Sequence, residues 1–339
     1  RRGVAFFIIF VVIFTLIWRY VYVRSFQAAS RSRRALIIGA GKAGSTLVNV
    51  ITDKNPPPFN LIGLIDDDPE KLGSTIRDYE VLGDHTQLFD IIDQRGITDL
   101  ILAISGPIKH GMFQNLLMAQ EQGLEISTMQ EVYESLLGRV PINLLDSEWV
   151  IRSFVSHTPN GGFYRLFKRL MDLAISLVGL VFLVGLFPII AVIILIDSGK
   201  PVIYSQERLG RGGVPYRIYK FRTMKTTMDM EKEALLTASN DPRVTRAGRF
   251  LRKVHLDELP QVINVLMGDM SWVGPRSERS ELVEIFQNVV PFYRARMLVK
   301  PGVTGWAQIN QPYAETVEET AIKLEYDLYY IEHANILMD

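Results

Sequence analysis

Two long apolar runs frame this chain, with short alternating apolar segments between and after them. The first, residues 4–18, carries no charge before Arg19. It falls short of the roughly 20 residues that a complete membrane span needs. Tyr20 and Tyr22 suit a membrane interface, and Arg24, Arg31, Arg33 and Arg34 follow with no small-residue cleavage pattern. Residues 1–24 therefore predict the end of an N-terminal transmembrane helix whose C-terminal side is cytoplasmic. The second run, residues 173–196, has 24 residues without Asp, Glu, Lys or Arg. At 1.5 Å per residue it reaches about 36 Å, enough to cross a bilayer core. Pro188 lies past its midpoint, where a missing amide donor kinks a helix. A plain crossing would put the flanking segments on opposite sides, although both read as cytosolic. A re-entrant helix over 166–200 that enters one leaflet, bends at Pro188 and returns keeps them together, provided the freed backbone groups are satisfied locally. A true span and a buried core helix are the alternatives.

Residues 34–145 alternate between short apolar strands and amphipathic helices. Strands are predicted at 35–38, 61–65, 99–104 and 124–127, with a helix near 111–123. That order implies a parallel, doubly wound, Rossmann-like sheet, of the kind that binds a dinucleotide or CoA. The first strand runs into Gly39, Gly41 and Gly44 in G-x-G-x-x-G spacing, and Asp66 follows the second strand. In a dinucleotide site the glycines admit the pyrophosphate and the acid takes a ribose hydroxyl. The same glycines also serve tight strand-to-helix packing, so both roles stay open here. A connector over 146–165, containing Pro159, Asn160, Gly161 and Gly162, leads to the second apolar run.

Composition narrows the chemistry. The net charge over 339 residues is zero, so no global field draws the chain to nucleic acid. Between Gln206 and Lys253, however, twelve Lys and Arg face five Asp and Glu, a zone suited to phosphates or an anionic membrane surface. Cysteine is absent, which removes disulfides, thiol catalysis and thiolate metal sites. Five scattered histidines lack metal-ligand spacing, and no G-x-S-x-G occurs. The chain begins at Arg1 and ends at Asp339 inside an amphipathic pattern, and we read it as a piece of a longer polypeptide.

In residues 201–339, strands are predicted at 201–204 and 216–222, separated by a glycine-rich basic turn over 206–213, with a helix over 224–238. Thr245 is placed to cap a helix carrying Arg246, Arg249, Arg252 and Lys253. That helix meets Asp257 and Glu258 just before Pro260, a residue suited to opening a second helix. The acids then stand at a break between helices, near the positive end of the second, which favours their ionised form. A carboxylate can attack phosphorus, a neighbouring carboxylate can hold Mg²⁺ against a diphosphate, and arginines neutralise the developing charge. A solvated acidic pair is the bland alternative.

The stretches KRLMDLAIS, YKFRTMK, DPRVTRAGRFLRKVHLDELPQVINVLMGDMSWVGPR, KPGVTGWAQIN and YDLYYI stand in this order. With them the chain resembles the bacterial sugar transferases, the monotopic polyprenyl-phosphate (undecaprenyl-phosphate) glycosyl-1-phosphate transferases, in their large form. The resemblance implies a Rossmann-like domain joined to a membrane-embedded, mostly helical α/β catalytic domain over 201–339. It implies transfer of a sugar-1-phosphate from a UDP-sugar to polyprenyl phosphate, releasing UMP, as the first membrane step of exopolysaccharide, capsule or O-antigen synthesis. By resemblance Asp257 is the nucleophile, Glu258 binds Mg²⁺, and Arg252 and Arg276 contact phosphates, with Lys220 and Arg222 as weaker candidates. A homodimer, contact with membrane lipids, and a place on the cytoplasmic face of the inner membrane are also implied. Four departures stand out: Phe187 before the proline, Ser277 after G-P-R, His255 before the acidic motif, and Gln311-Pro312-Tyr313 after WAQIN.

Two other readings compete. A nucleotide-sugar dehydratase would need a second glycine fingerprint and a helical Tyr-x-x-x-Lys; Tyr216 and Lys220 have that spacing only in a strand-like alternation. A membrane-anchored nucleotide sensor regulating polysaccharide synthesis uses the first domain but leaves the Asp257 segment idle.

Overall fold

A computed structural model describes residues 3, 6–7, 10–21, 33–104, 106–144, 161–225, 243–312 and 316–339. Of the expected connector over 146–165 only 161–165 is described, and of the expected helix over 224–238 only 224–225; the rest of both lies outside these residues. The chain divides into two compact units, Arg1–Asp146 and Ser147–Asp339. In the first, Phe10–Val21 is an apolar helix (α1) with Phe10, Phe14 and Trp18 exposed.

Strands buried almost continuously on both faces organise the rest of that unit. Strands β1 (Arg34–Ile38), β2 (Asn60–Ile65), β5 (Asp99–Leu102) and β6 (Glu125–Thr128) form a parallel sheet in the order β2-β1-β5-β6, beside a small hairpin of β3 (Thr75–Ile76) and β4 (Tyr79–Glu80). Ala35 and Ile37 pack on one face with helices α2 (Lys42–Thr52) and α5 (Met129–Leu137). Leu36 and Ile38 pack on the other with α3 (Leu88–Arg95) and α4 (His110–Glu121). Alternate side chains of one strand thus bury two helical layers, which makes the sheet doubly wound.

The second unit is built on one long helix, Gly162–Ser198, which at 1.5 Å per residue is about 55 Å long. It begins four residues earlier than the expected 166, because Gly162–Arg165 are already helical. The helix also runs on through Pro188 without ending there. Asp172, Ser176, Leu183, Ile190 and Ile194 are its buried positions, a stripe at spacings of four and seven along one face. Leu177, Val178, Val181, Phe182, Val184, Ile189 and Ile196 stay exposed on the remainder.

Both ends of this helix are held by the same unit. Near its start, Arg169 donates to the carbonyls of Val265 (2.7 Å) and Leu266 (2.8 Å), closing the last turn of the short helix Val262–Met267. Asp172, buried, accepts from Ser271 Oγ and the Trp272 backbone N–H, both at 3.0 Å. At the far end, Asp197 accepts from the Ala247 N–H at 2.9 Å, and Arg222 donates to the Ser198 carbonyl at 2.7 Å.

Two strand pairs complete the unit. β7 (Ile203–Leu209) and β8 (Pro215–Phe221) form an antiparallel hairpin, and β9 (Ser271–Val273) lies parallel to β10 (Gly302–Thr304). The turn expected over 206–213 is shorter than its composition suggests. Gln206 to Leu209 continue strand β7, each paired across the hairpin, and only the stretch after Leu209 turns. Of the two basic residues there, Arg208 is a strand side chain and Arg211 lies in the turn itself.

Candidate active site

The acidic pair stands where three local preferences meet. Thr245 caps the helix Arg246–Lys253 by accepting from the Gly248 N–H at 2.9 Å, as its sequence position predicts. His255 then turns back in the left-handed region (φ 56°) and ends that helix. A 3₁₀ turn, Leu256–Gln261, carries Asp257 and Glu258 in its first residues and Pro260 within it, and the helix Val262–Met267 follows. The break is therefore real, but the proline lies inside the intervening turn and does not open the second helix.

Strand β8 brings the cations. The buried Asn264 accepts from the Tyr219 N–H (3.1 Å) and donates to the Arg217 carbonyl (2.7 Å), so its amide fixes the strand against the helix that follows the turn. Lys220, the next residue along the strand, donates to Glu258 Oε1 at 2.6 Å. From the other side Arg276 donates to the same oxygen at 2.7 Å. Arg276 is aimed by the turn after β9: Gly274 N–H donates to the Thr304 carbonyl (3.0 Å) and Gly302 N–H to the Pro275 carbonyl (2.9 Å). A side chain at Gly274 would stand 2.5 Å from the Lys300 carbonyl oxygen, so only glycine lets the two strands approach this closely.

These neighbours set the charges. Burial pushes Glu258 up, but Arg276 and Lys220 outweigh it and hold the carboxyl at about 2. Asp257 goes the other way: burial, then the charge of Glu258, raise it, while Lys220 and Arg252 oppose. Lys220 is pushed down by burial and by Arg276 despite its bridge to Glu258. One shared ion pair thus leaves the carboxylate firmly ionised and the lysine more readily neutralised. Oε1 takes both cations and Oε2 takes part in neither contact.

The structure gathers Lys220, Asp257, Glu258 and Arg276, with Arg252 close enough to act on the charge of Asp257. Arg252 itself donates through Nε to Thr223 Oγ1 at 3.0 Å. Arg222 points elsewhere: its guanidinium serves the carbonyls of Ser198, Lys200 and Met224, tying the end of the long helix to the strand. Pro188 stands exposed on the long helix, and the neighbouring Phe187 packs on Phe221 with ring centroids 5.8 Å apart. In the first unit, added side chains at Gly39 and Gly44 would meet the Ala103 carbonyl oxygen at 2.6 Å and the Gly39 carbonyl oxygen at 2.0 Å, whereas Gly41 faces open space. Asp66 accepts from the N–H of Ala40 (2.7 Å) and of Asp68 (2.9 Å) and pairs with Lys71 (3.1 Å). Its carboxylate is spent on the chain's own loop.

A second charged cluster went unread in the sequence. Glu278 pairs with Lys323 (2.7 Å) and Arg296 (3.5 Å), and Arg296 pairs with Asp327 at 2.8 Å. Burial raises Glu278, but Lys323 and Arg296 hold it down at about 2. Arg296 also donates to the Arg276 carbonyl at 2.9 Å, so this cluster braces the backbone that presents Arg276. The available signal was Asp327, which falls on the apolar stripe of Leu324, Leu328 and Ile331 in the helix Val317–His333.

A family model described as bacterial sugar transferase matches residues 163–339, and one described as CoA-binding domain matches residues 1–108. Among curated relatives, the undecaprenyl-phosphate glucose phosphotransferase of Komagataeibacter xylinus is 30% identical over 91% of this chain and 57% of its own. The UDP-N-acetylgalactosamine-undecaprenyl-phosphate N-acetylgalactosaminephosphotransferase of Aeromonas hydrophila is 38% identical over 62% of this chain and 48% of its own. The UDP-glucose:undecaprenyl-phosphate glucose-1-phosphate transferase of Escherichia coli K12 is 41% identical over 54% of this chain and 39% of its own. The chain thus spans about half the length of these relatives. The match over 163–339 takes in the long helix, the acidic turn and every cation gathered around it, and on it the chain belongs to the bacterial sugar transferase family.

Proposed function

We propose that this protein transfers a sugar-1-phosphate from a UDP-sugar to polyprenyl phosphate, through a phosphosugar carried on Asp257. The observation that carries this is the asymmetry of the acidic pair. Glu258 is locked by Lys220 and Arg276, whereas Asp257, buried beside it, forms no ion pair with any described residue. In the first half-reaction an Asp257 oxygen attacks the sugar-linked phosphorus, the P–O bond to the bridging oxygen breaks, and UMP leaves with that oxygen. In the second, a phosphate oxygen of the lipid attacks the same phosphorus, the Asp257–phosphorus bond breaks, and the carboxylate returns as polyprenyl-diphospho-sugar departs. Lys220, Arg252 and Arg276 hold the phosphates and offset the charge that builds on their oxygens. Hard oxygen donors suit Mg²⁺, and Glu258 Oε2 and the Asp257 carboxylate are such donors, so these residues fit that ion together with substrate phosphates. When bound, it would supply further neutralisation of the diphosphate.

The long helix belongs to the same reading. We place its exposed apolar face in one leaflet of the inner membrane with the catalytic unit on the cytoplasmic side, as a re-entrant helix. What supports this is that its two ends are anchored to one unit, by Asp172 near the start and by Asp197 and Ser198 at the end. The absence of native cysteine makes labelling simple. Gly161→Cys and Lys200→Cys should react with an impermeant maleimide from the same face of sealed vesicles, and opposite faces would reject the placement. The homodimer rests on the family resemblance and is tested by the mass of the detergent-solubilised protein.

The decisive assay incubates the membrane protein with radiolabelled UDP-sugar, Mg²⁺ and polyprenyl phosphate. The names of the relatives divide between glucose and N-acetylgalactosamine, so the panel includes both. UMP and a labelled lipid should appear, and Asp257→Asn should yield neither. Wild-type turnover by that variant would sink the covalent route.

A further inference from the structure

Beside the acidic pair lies a cleft lined by Arg208, Ile218, Lys220, Gln261, Arg276, Ser277 and Gly302. Its free volume of about 20 Å³ is far below the roughly 300–1,000 Å³ of a whole small-molecule pocket and has room for little more than one water or one phosphate oxygen. Three of its walls are cationic. Lys220 and Arg276 share one oxygen of Glu258, and Arg208 stands 3.8 Å from Glu278.

Gln261 is the anomaly in this wall. It ends the 3₁₀ turn that carries the acids, is only 2% exposed, and its Nε2 has no hydrogen-bond partner among the described residues. A buried amide donor without an acceptor is costly, and folded proteins rarely keep one without a reason. The cleft is crowded with positive charge and the orphan group is a donor, so the occupant that satisfies both is an anionic oxygen.

Building on the reaction proposed above, we propose that Gln261 is a phosphate-binding residue, its amide donating to a substrate phosphate oxygen held in the Arg208–Lys220–Arg276 cleft. It acts with the cations and not in place of them: they supply charge, and the amide supplies direction. The phosphate can belong to the nucleotide or to the lipid acceptor, and binding probes separate the two.

The test uses the full-length membrane protein and the near-isosteric variants Gln261→Leu and Gln261→Met, with Kd measured for UMP, UDP and polyprenyl phosphate. Loss of one hydrogen bond to a charged group weakens binding about 10- to 100-fold. Weaker UDP with unchanged UMP assigns the amide to the transferred phosphate. Weaker UMP and UDP together assign it to the nucleotide's inner phosphate, and weaker polyprenyl phosphate alone assigns it to the acceptor. Ligand-free Tm should match or exceed that of the wild type, because the variants delete an unsatisfied group. Unchanged Kd for all three probes overturns the proposal, as does a fall in Tm that accounts for the lost binding in both variants. The proposed function is judged separately: wild-type protein that releases no UMP sinks that reading, whereas variants with wild-type Kd beside a wild type that releases UMP sink only the role of Gln261.

Discussion

Glu258→Gln tests the electrostatics of the site most directly, because the substitution keeps the shape and removes one charge. In the wild type the carboxyl is held at about 2 against its ordinary 4.5. At about 1.4 kcal/mol for each tenfold change in proton affinity, that displacement stabilises the fold by about 3 kcal/mol at neutral pH. The side chain is only 13% exposed, so solvent screening removes little of this. Removing one partner of a buried ion pair generally costs about 3–5 kcal/mol, in line with that figure. For a unit of 193 residues (147 to 339 inclusive), each kcal/mol moves Tm by about 2–4 °C, so thermal unfolding should fall by about 6–12 °C. Most of the loss is the cost of leaving Lys220 and Arg276 facing each other without an anion. The double variant Glu258→Gln, Lys220→Met should therefore recover about 1–2 kcal/mol. A single variant that melts within a degree of the wild type, or a double variant no more stable than the single, would refute the reasoning.

The same substitution should move the acid limb of the residual activity. Wild-type Asp257 is raised by burial and by the charge of Glu258, so turnover should grow as pH rises through a value above the ordinary carboxyl range. Without Glu258, Asp257 loses a like charge and faces two cations with less to neutralise them, and the limb should shift to lower pH in a pH–rate profile. Glu278 predicts a separate effect on stability. Its folded-state value of about 2 lies below the ordinary 4.5, so its contribution is complete above about pH 4.5 and is lost as pH falls toward 2; Glu278→Gln should flatten that slope in acid denaturation. Arg222→Lys should lower Tm, by about 1–3 kcal/mol in stability, because a single ammonium cannot serve the carbonyls of Ser198, Lys200 and Met224 together, while KM for the UDP-sugar stays unchanged. Gly274→Ala should lower both Tm and kcat, since a methyl 2.5 Å from the Lys300 carbonyl forces the β9–β10 turn, and Arg276 with it, out of place; equal kcat would show that the turn does not position the arginine.

What the sequence shows and what it hides divide along the distance between interacting residues. Strand alternation, the Thr245 cap and the acidic break are read from neighbours one to four positions apart, and the structure has them at those positions. By resemblance Lys220 and Arg222, two residues apart, are both expected to contact phosphates. An unbroken strand would send both side chains to one face, but β8 ends at Phe221: Lys220 reaches Glu258, 38 positions on, while Arg222, just past the strand, reaches back 24 positions to Ser198. That choice is made by the end of the long helix, whose last carbonyls need donors, and nothing in the strand's own pattern encodes it. The Glu278–Arg296–Lys323–Asp327 cluster is hidden for the same reason, and only the misplaced acid on an apolar stripe hints at it. Gly39, Gly44 and Asp66 make the converse case: a fingerprint fully legible in sequence proves to be occupied in part by the chain's own packing, with the aspartate bound to the Ala40 N–H. A motif states which backbone shape is needed. Which partner uses that shape is decided by groups brought in from far along the chain, and the catalytic reading of Asp257 therefore rests less on its motif than on Lys220 and Arg276 arriving from two other elements to hold its neighbour.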